Sequence, residues 1–370
     1  MIDLHGIVYA FNSFPELGPL QLPRTSAGLP FGGRYRLIDF SLSAMTNCGI
    51  RDVSVIMQKD YQSLLDHLRG GKEWDLSRRD GGLRMLPPLA LPSSLTGDYR
   101  GCMEAMANVR ASLSDIRQKY VLITRGDLVA NMDFAAVYEH HVRSGAGITA
   151  VCTETVPGHR HHRYLVDDKG MAADILCTQS GDTGGVTATE VYVIDKDILL
   201  QLVDYCSAHR LPHFHRDAVK YYFSTGGKIS VYMHCGFCRS VSSVQSYFKT
   251  SMELLNKEVR ADLFAPVRPV CTREQADVST YYGEKAYARG SLVADGCHIE
   301  GQLENCIVFR GAVIEPGAKL KNCIIMQDTV IGRNSNLTNL IADKDVVITD
   351  GMTLAGSYDL PLIVPKGTRL

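Results

Sequence analysis

The sequence predicts an α/β layered domain over residues 1–256, a linker over 257–283 and a β-helix of hexapeptide repeats over 284–370. Three observations carry this. Short β-rich runs alternate with helix-patterned stretches up to about residue 256. Beyond residue 283 aliphatic side chains recur every six positions, with glycine, asparagine and aspartate between them. The length of 370 residues, 45% hydrophobic and 21% charged, suits about two globular bodies.

Taken in order, residues 6–11, 53–57, 120–124, 148–152, 187–194 and 228–233 are the candidate strands, each a short β-branched or aliphatic run. Residues 42–47, 61–69, 103–116, 134–144, 196–207 and 243–256 carry helical spacing between them. Ligands of such sheets lie beyond the carboxyl ends of the strands, which is where Gly126-Asp127 falls. In the C-terminal part Val293 and Ile299 form one repeat pair and Ile307 and Val313 a second. Ile325, Ile331 and Leu337 continue the phase after a slip. Asp295-Gly296, Glu315-Pro-Gly-Ala318 and Gly332-Arg-Asn-Ser335 suit the corners. A solenoid this short leaves flat faces and ends, which points to association.

A formal net charge of -1 gives no electrostatic case for nucleic acid or membrane surfaces. The start lacks a basic segment followed by an apolar one, and no window approaches roughly 18 uncharged apolar residues. A cytoplasmic location is the expectation. The 11 cysteines, mostly within apolar runs, read as small buried hydrophobes. Cys235-Gly-Phe-Cys238 after His234 is a lone CxxC, short of two ligands for zinc. His159, His161 and His162, flanked by Arg160 and Arg163, read as a solvated loop with an anion contact as the alternative.

After the first strand the chain runs Asn12-Ser-Phe-Pro-Glu-Leu-Gly18-Pro19. A phosphate-cradling loop needs several glycines whose N–H groups approach the anion. One glycine flanked by prolines, which lack N–H, is a poor cradle. Downstream stands Pro30-Phe-Gly-Gly-Arg-Tyr-Arg-Leu-Ile-Asp-Phe40, then Leu42-Ser43 and Asn47-Cys-Gly-Ile50. This segment resembles the signature of the bacterial ADP-glucose pyrophosphorylases. Gly126-Asp127 with Met132-Asp133, Met252-Glu-Leu-Leu255 with Tyr247, and Ile325-Met-Gln-Asp-Thr-Val-Ile-Gly332 extend the resemblance over nearly the whole chain. It implies a Rossmann-like, GT-A-like nucleotidyltransferase sheet domain followed by a left-handed β-helix.

In active members a glycine-rich GGxGTRL loop cradles the nucleotide, and two carboxylates hold the Mg²⁺ that bridges its phosphates. By the resemblance Asp127 is the first carboxylate, and Ser240, within Phe237-Cys-Arg-Ser-Val-Ser-Ser243, stands where the second belongs. Ser26, in Arg24-Thr-Ser-Ala27, replaces a phosphate-binding lysine, and Ala188 replaces a serine near Tyr192. Gly101-Cys-Met-Glu-Ala-Met106 replaces a segment lining the nucleotide and sugar pocket, and no FxEKP motif is found near residues 174–182. Asp127 is thus a remnant and Ser26, Ser240 and Ala188 are degenerate positions, with no metal site left. Retained instead are Arg24, Arg34 and Arg36 around the Pro30–Gly33 turn. Residues like Arg24 and Arg36 line an effector cleft in the family, and arginine suits phosphate through its planar fork. The alternative is that Arg36 pairs with Asp39 or another carboxylate and tethers the following helix.

This combination resembles the GlgD-type regulatory subunits of glucose-1-phosphate adenylyltransferase. The resemblance implies a non-catalytic or weakly active chain that joins catalytic subunits in a hetero-tetramer of glycogen biosynthesis, or forms a homo-oligomer alone, and binds a phosphorylated effector. Cofactors of its own are none, with Mg²⁺ belonging to the catalytic partner's conversion of ATP and glucose 1-phosphate to ADP-glucose and pyrophosphate. The rivals are a free-standing nucleotidyltransferase with a rebuilt loop and a sugar-phosphate sensor that ignores any catalytic subunit. An acyltransferase suits the hexapeptide repeats less well, since His298 is the solenoid's single histidine.

Overall fold

The structure is a computed structural model in which residues 2–10, 14–22, 24–88, 99–154, 162–177 and 184–370 are described. His159, Arg160 and His161, residues 12 and 13 of the candidate loop and residues 178–183 lie outside that set.

Strand Leu4–Ala10 is buried along its length and forms the middle of the large sheet. It pairs in parallel with Asp52–Met57 on one side and Tyr120–Arg125 on the other. Beyond Asp52–Met57 the parallel strand Gly82–Leu86 closes that edge. On the other side Val186–Asp195 runs antiparallel to both Tyr120–Arg125 and Ile148–Thr153. Ile229–Met233 lies parallel to Ile148–Thr153. Continuous burial on both faces explains why these central strands read as unbroken apolar runs rather than as alternation. Gly82–Leu86, His162–Val166 and Ala172–Cys177 were not among the sequence-derived strands, because each is partly exposed and interleaves charged residues.

Helix Leu37–Asn47 starts five residues earlier than its periodicity suggested, since its first turn is buried on every side, the charged Asp39 included, and so shows no apolar stripe. Asp39 secures that first turn by accepting from the Arg36 N–H at 2.9 Å. The helix packs so closely on the first strand that a Cβ at Gly6 would lie 2.6 Å from the Met45 sulfur. The span 103–116 divides into Cys102–Asn108 and Arg110–Ser114. A π-helical turn, Phe214–Val219, runs into Lys220–Ser224, an arrangement outside helical periodicity and therefore not expressed in it.

Stacked parallel strands form the C-terminal β-helix, beginning at Tyr281–Tyr282 and ending at Leu362–Val364. Ile299, Ile314, Ile331 and Ile348 fill its interior in register. Paired strands lie 17 residues apart from Tyr281 to His298 and where Asn305, Asn322 and Asn339 stack, and 15 apart from Tyr287 to Gln302 and Leu292 to Ile307, which accounts for the slip in the six-residue phase. The expected pair Ile307 and Val313 is one position out of phase. Val308 and Ile314 point inward, while Ile307, Ile324 and Ile341 are buried on an outer face against Phe31, Leu37, Phe40 and Leu254 of the sheet domain. The two domains therefore share one apolar core. Helix Lys257–Leu263 opens the segment between them.

Candidate functional site

At the carboxyl end of Tyr120–Arg125 the chain turns through Gly126-Asp127 into the short strand Leu128–Ala130. Cys238–Ser240 pairs antiparallel with it, placing Ser240 opposite Leu128, and the Val241 N–H donates to the Asp127 carbonyl at 3.2 Å. Asp127 and Ser240 are thus brought together although far apart in sequence. Ser26 lies in the buried turn Ser26–Gly28, and the next residue, Ala27, packs against Gly126 so closely that a Cβ there would be 2.8 Å away. Ala188 is buried in Val186–Asp195 opposite Cys152.

Asp127 is buried, and both its carboxylate oxygens accept from Arg125, at 2.7 Å from Nε and 2.9 Å from Nη2. Nη1 of Arg125 lies 3.4 Å from Glu190, whose carboxylate also accepts from the Tyr9 hydroxyl at 2.8 Å. Burial pushes the Glu190 carboxyl up, and Arg125 with the Tyr9 hydroxyl reverses this, leaving it below its ordinary value. A hard divalent cation needs oxygen ligands with open lone pairs. Both Asp127 oxygens already face the guanidinium of Arg125, whose positive charge opposes a second cation there, and Ser240 offers a neutral hydroxyl, so these residues do not fit Mg²⁺. Among the described residues no three His, Cys, Asp or Glu side chains are grouped to hold a metal.

Beyond this cluster opens a pocket of about 390 Å³ lined by Tyr9, Gln58, Tyr99, Glu190, Tyr192 and His215, among others. Its wall is the close contact of Gly101 with the Pro212 carbonyl, where a Cβ would stand 2.3 Å away. His215 comes from the π-helical turn, takes the Tyr192 hydroxyl on Nδ1 and stacks on His162 with ring centres 3.9 Å apart. Burial, with the neighbouring His162 adding to it, lowers the His215 imidazole to about 3, so it is neutral at pH 7. Cys235 and Cys238 are free thiols, and burial pushes Cys238 up to about 12, away from thiolate chemistry.

A second cleft lies where the β-helix meets the sheet domain, lined by Arg34, Arg36, Arg273, Arg310 and Lys344 with His67. Arg34 is paired with Asp295 at 2.8 Å and Arg310 with Asp277 at 3.6 Å. Arg36 instead donates to the Ser63 carbonyl and hydroxyl at 2.7 and 2.9 Å, and Arg273 to the Asp66 carbonyl at 3.0 Å. Among the described residues Arg36, Arg273 and Lys344 have no carboxylate partner. Asp39 is occupied by His67 at 2.6 Å and by the Arg36 main chain, so the side-chain pairing of Arg36 with Asp39 does not form. Burial, then the charges of Arg36 and Arg24, lowers the Lys344 ammonium to about 8. The arrangement is a pocket with more cations than anions.

Arg24 is not in this cleft lining. It is buried and bound bidentately to Asp343 of the β-helix, with both contacts 2.9 Å. Its position in the sequence suggested effector binding, and its geometry makes it a clamp between domains. Arg34 and Arg36 do line the cleft, while Arg273, Arg310 and Lys344 were missed. Their signal was weak, being three separated cations with no shared motif. Arg125 and Glu190 were missed also, although a glutamate inside the otherwise apolar run 186–194 was legible as an anomaly.

Residues 16–257 match the nucleotidyl transferase family model, and residues 276–358 match the GlmU-like C-terminal hexapeptide model. The chain is 37% identical to the glycogen biosynthesis protein GlgD of Geobacillus stearothermophilus over 98% of this chain and 96% of that protein. Against the GlgD of Bacillus subtilis the identity is 33%, over 95% and 92% respectively. The glucose-1-phosphate adenylyltransferase of Halalkalibacterium halodurans is 28% identical, over 84% of this chain and 82% of that protein. With a sheet domain and a hexapeptide solenoid of matching extent, the chain belongs to the nucleotidyl transferase family, and within it to the GlgD proteins.

Proposed function

We propose that this chain is a regulatory subunit in glycogen biosynthesis. It is itself non-catalytic or barely active, and it associates with the catalytic chains of glucose-1-phosphate adenylyltransferase and answers to a phosphorylated effector. The observation that carries the reading is the contrast between the two clefts. The one at the strand ends has its single remaining metal carboxylate neutralised by Arg125. The one between domains holds Arg36, Arg273 and Lys344 in want of an anion. Transition-state charge on a phosphoryl group cannot be stabilised without a metal or free cations, a loss of several kcal/mol, or about 10²-fold or more in rate. A phosphorylated ligand between the domains would contact Arg36 from one and Lys344 from the other, coupling occupancy to their packing. The first solenoid coil exposes Tyr281, Tyr282 and Tyr287, and these apolar rings support the solenoid's part in association.

The test is to assay the pure chain, the catalytic chain from the same source and their mixture, with mass measurement of the mixture. The expected outcome is negligible turnover alone and altered activity or effector response in a mixed oligomer. Turnover by the pure chain like that of an ordinary nucleotidyltransferase, or no association, sinks the reading.

A further inference from the structure

The guanidinium of Arg125 occupies Asp127, the carboxylate that the family resemblance makes the first metal ligand. It is 8% exposed, Asp127 is 1% exposed, and the fork matches both oxygens of that carboxylate while its third nitrogen faces Glu190. Several neighbours fix the group. Ser41 Oγ donates to the Arg125 carbonyl at 2.8 Å, holding the backbone to helix Leu37–Asn47, and the Phe14 ring lies 5.5 Å from the guanidinium carbon. Glu190 is delivered by an uncommon backbone, with φ 61 at a bulge where Val186–Asp195 slips against Ile148–Thr153. A non-glycine residue in that region costs about 1 kcal/mol or more, and it persists where its surroundings over-determine it. Here the Tyr9 hydroxyl and Arg125 do so.

We propose that Arg125 is a built-in replacement for the divalent cation, clamped by Asp127 and Glu190, which makes the pocket at the strand ends metal-independent and closes it to metal–polyphosphate ligands. The proposal rests on the regulatory reading only in treating this chain as non-catalytic. A divalent ion brings two charges and open coordination positions that phosphate oxygens fill. A guanidinium brings one charge and spends its donors on the chain's own carboxylates. Held by two carboxylates, Arg125 has no free charge to offer a polyphosphate, and Arg100 and Arg216, which also line the pocket, are engaged by Glu104 and Asp217. Glu190 is therefore a specificity-determining residue, because without it Arg125 would have donors and charge to offer an incoming phosphate.

The experiment is a Mn²⁺ titration of the full-length protein followed by the electron paramagnetic resonance signal of free Mn²⁺. The variants are wild type, Arg125→Gln, the double variant Arg125→Gln with Glu190→Gln, and Asp127→Asn as the site control. The expected result is no Asp127-dependent binding by wild type. Arg125→Gln, which leaves two carboxylates without their cation, gains one site with a Kd on the order of 10⁻⁴–10⁻³ M, as loosely built oxygen sites show. The double variant weakens that site at least tenfold. Mn²⁺ binding by wild type that Asp127→Asn abolishes overturns the proposal, as does a folded Arg125→Gln that gains no site. If Arg125→Gln folds only when Mn²⁺ is present, the ion has taken the guanidinium's place and the proposal stands. If Arg125→Gln stays unfolded in Mn²⁺, wild-type melting decides: a melting temperature raised by Mg²⁺–ATP and restored by EDTA overturns the proposal, and an unchanged one upholds it. None of these outcomes touches the regulatory reading, which stimulation of the catalytic chain decides separately.

Discussion

Arg24 and Arg36 carry the same charge into opposite environments. Arg24 is buried against Asp343, and removing one partner of such a pair strands a charge in the interior. Arg24→Ala is expected to cost about 3–5 kcal/mol in denaturant unfolding, while the paired change Arg24→Met with Asp343→Leu recovers most of that loss. Arg36, half-buried and, among the described residues, bonded by its guanidinium to Ser63 and to no carboxylate, is expected to act on ligand rather than on stability. Arg36→Ala should weaken effector activation of the mixed complex by about 1.5–3 kcal/mol with a near-normal melting temperature. A destabilised protein with normal effector response would move Arg36 to the structural role. Lys344, lowered to about 8 by burial and by Arg36 and Arg24, is charged below that pH, so effector affinity should fall as pH rises from 7 to 9. His5 and His215 are lowered likewise, and for them the consequence falls on stability. Burial lowers them to about 4 and about 3, so below the ordinary histidine value the unfolded chain takes up protons that the folded chain refuses. Stability should rise with pH from about 4 to 6.5, by about 1 kcal/mol per unit from each group. Melting curves from pH 4.5 to 7.5 read this, and His215→Phe should flatten the slope.

Among the elements, the asparagine ladder shows how the solenoid closes its coils. Asn305, Asn322 and Asn339 hold φ of 52, 50 and 48 at equivalent corners. The Asn322 side-chain Nδ2 donates to Oδ1 of Asn339 at 3.1 Å, and Nδ2 of Asn339 to the Gly356 main-chain carbonyl at 3.1 Å. Asparagine tolerates the left-handed region and fills the ladder, glycine meets the first need only, and alanine meets neither. The expected order of stability at position 322 is Asn, then Gly, then Ala, with the Ala variant about 2–3 kcal/mol below wild type in guanidinium melts. Equal stability of Gly and Ala would show that the corner strain is not felt.

Across the whole molecule the shared core couples the domains. Ile307, Phe309, Ile324, Met326 and Ile341 from the β-helix are buried with Phe31, Leu37, Phe40 and Leu254 from the sheet domain. A chain ending at residue 280 would leave that face of the sheet domain open, at a cost of about 25 cal/mol per Å² of apolar surface returned to water. The truncated protein should bind a hydrophobic dye strongly, melt well below the parent and lose the parent's oligomeric state in sedimentation. A truncated chain that keeps the parent's mass state would take the solenoid out of the oligomer interface.

Local signals fixed the large features because they are local in physics. The buried strands Leu4–Ala10 and Tyr120–Arg125 are apolar on both faces, helix Phe134–Ser144 ends at a left-handed Gly145, and the six-residue repeat is a packing period. Short charged edge strands such as Gly82–Leu86, and the π-helical turn at Phe214–Val219, have no such period and went unread. At the site, the weakness of the loop before Pro19 was visible in residue types alone, whereas Ser240 in place of a carboxylate was what the family resemblance implied. What residue types could not express was pairing. Arg24 and Arg36 look alike in sequence, and only folding brings Asp343 to one and leaves the other facing Lys344 across the domain boundary. Arg125 beside Asp127 is sequence-local, yet Glu190 joins them through a bulge in a strand more than sixty residues away. Charge is written along the chain, whereas the partner that neutralises it is chosen by tertiary structure.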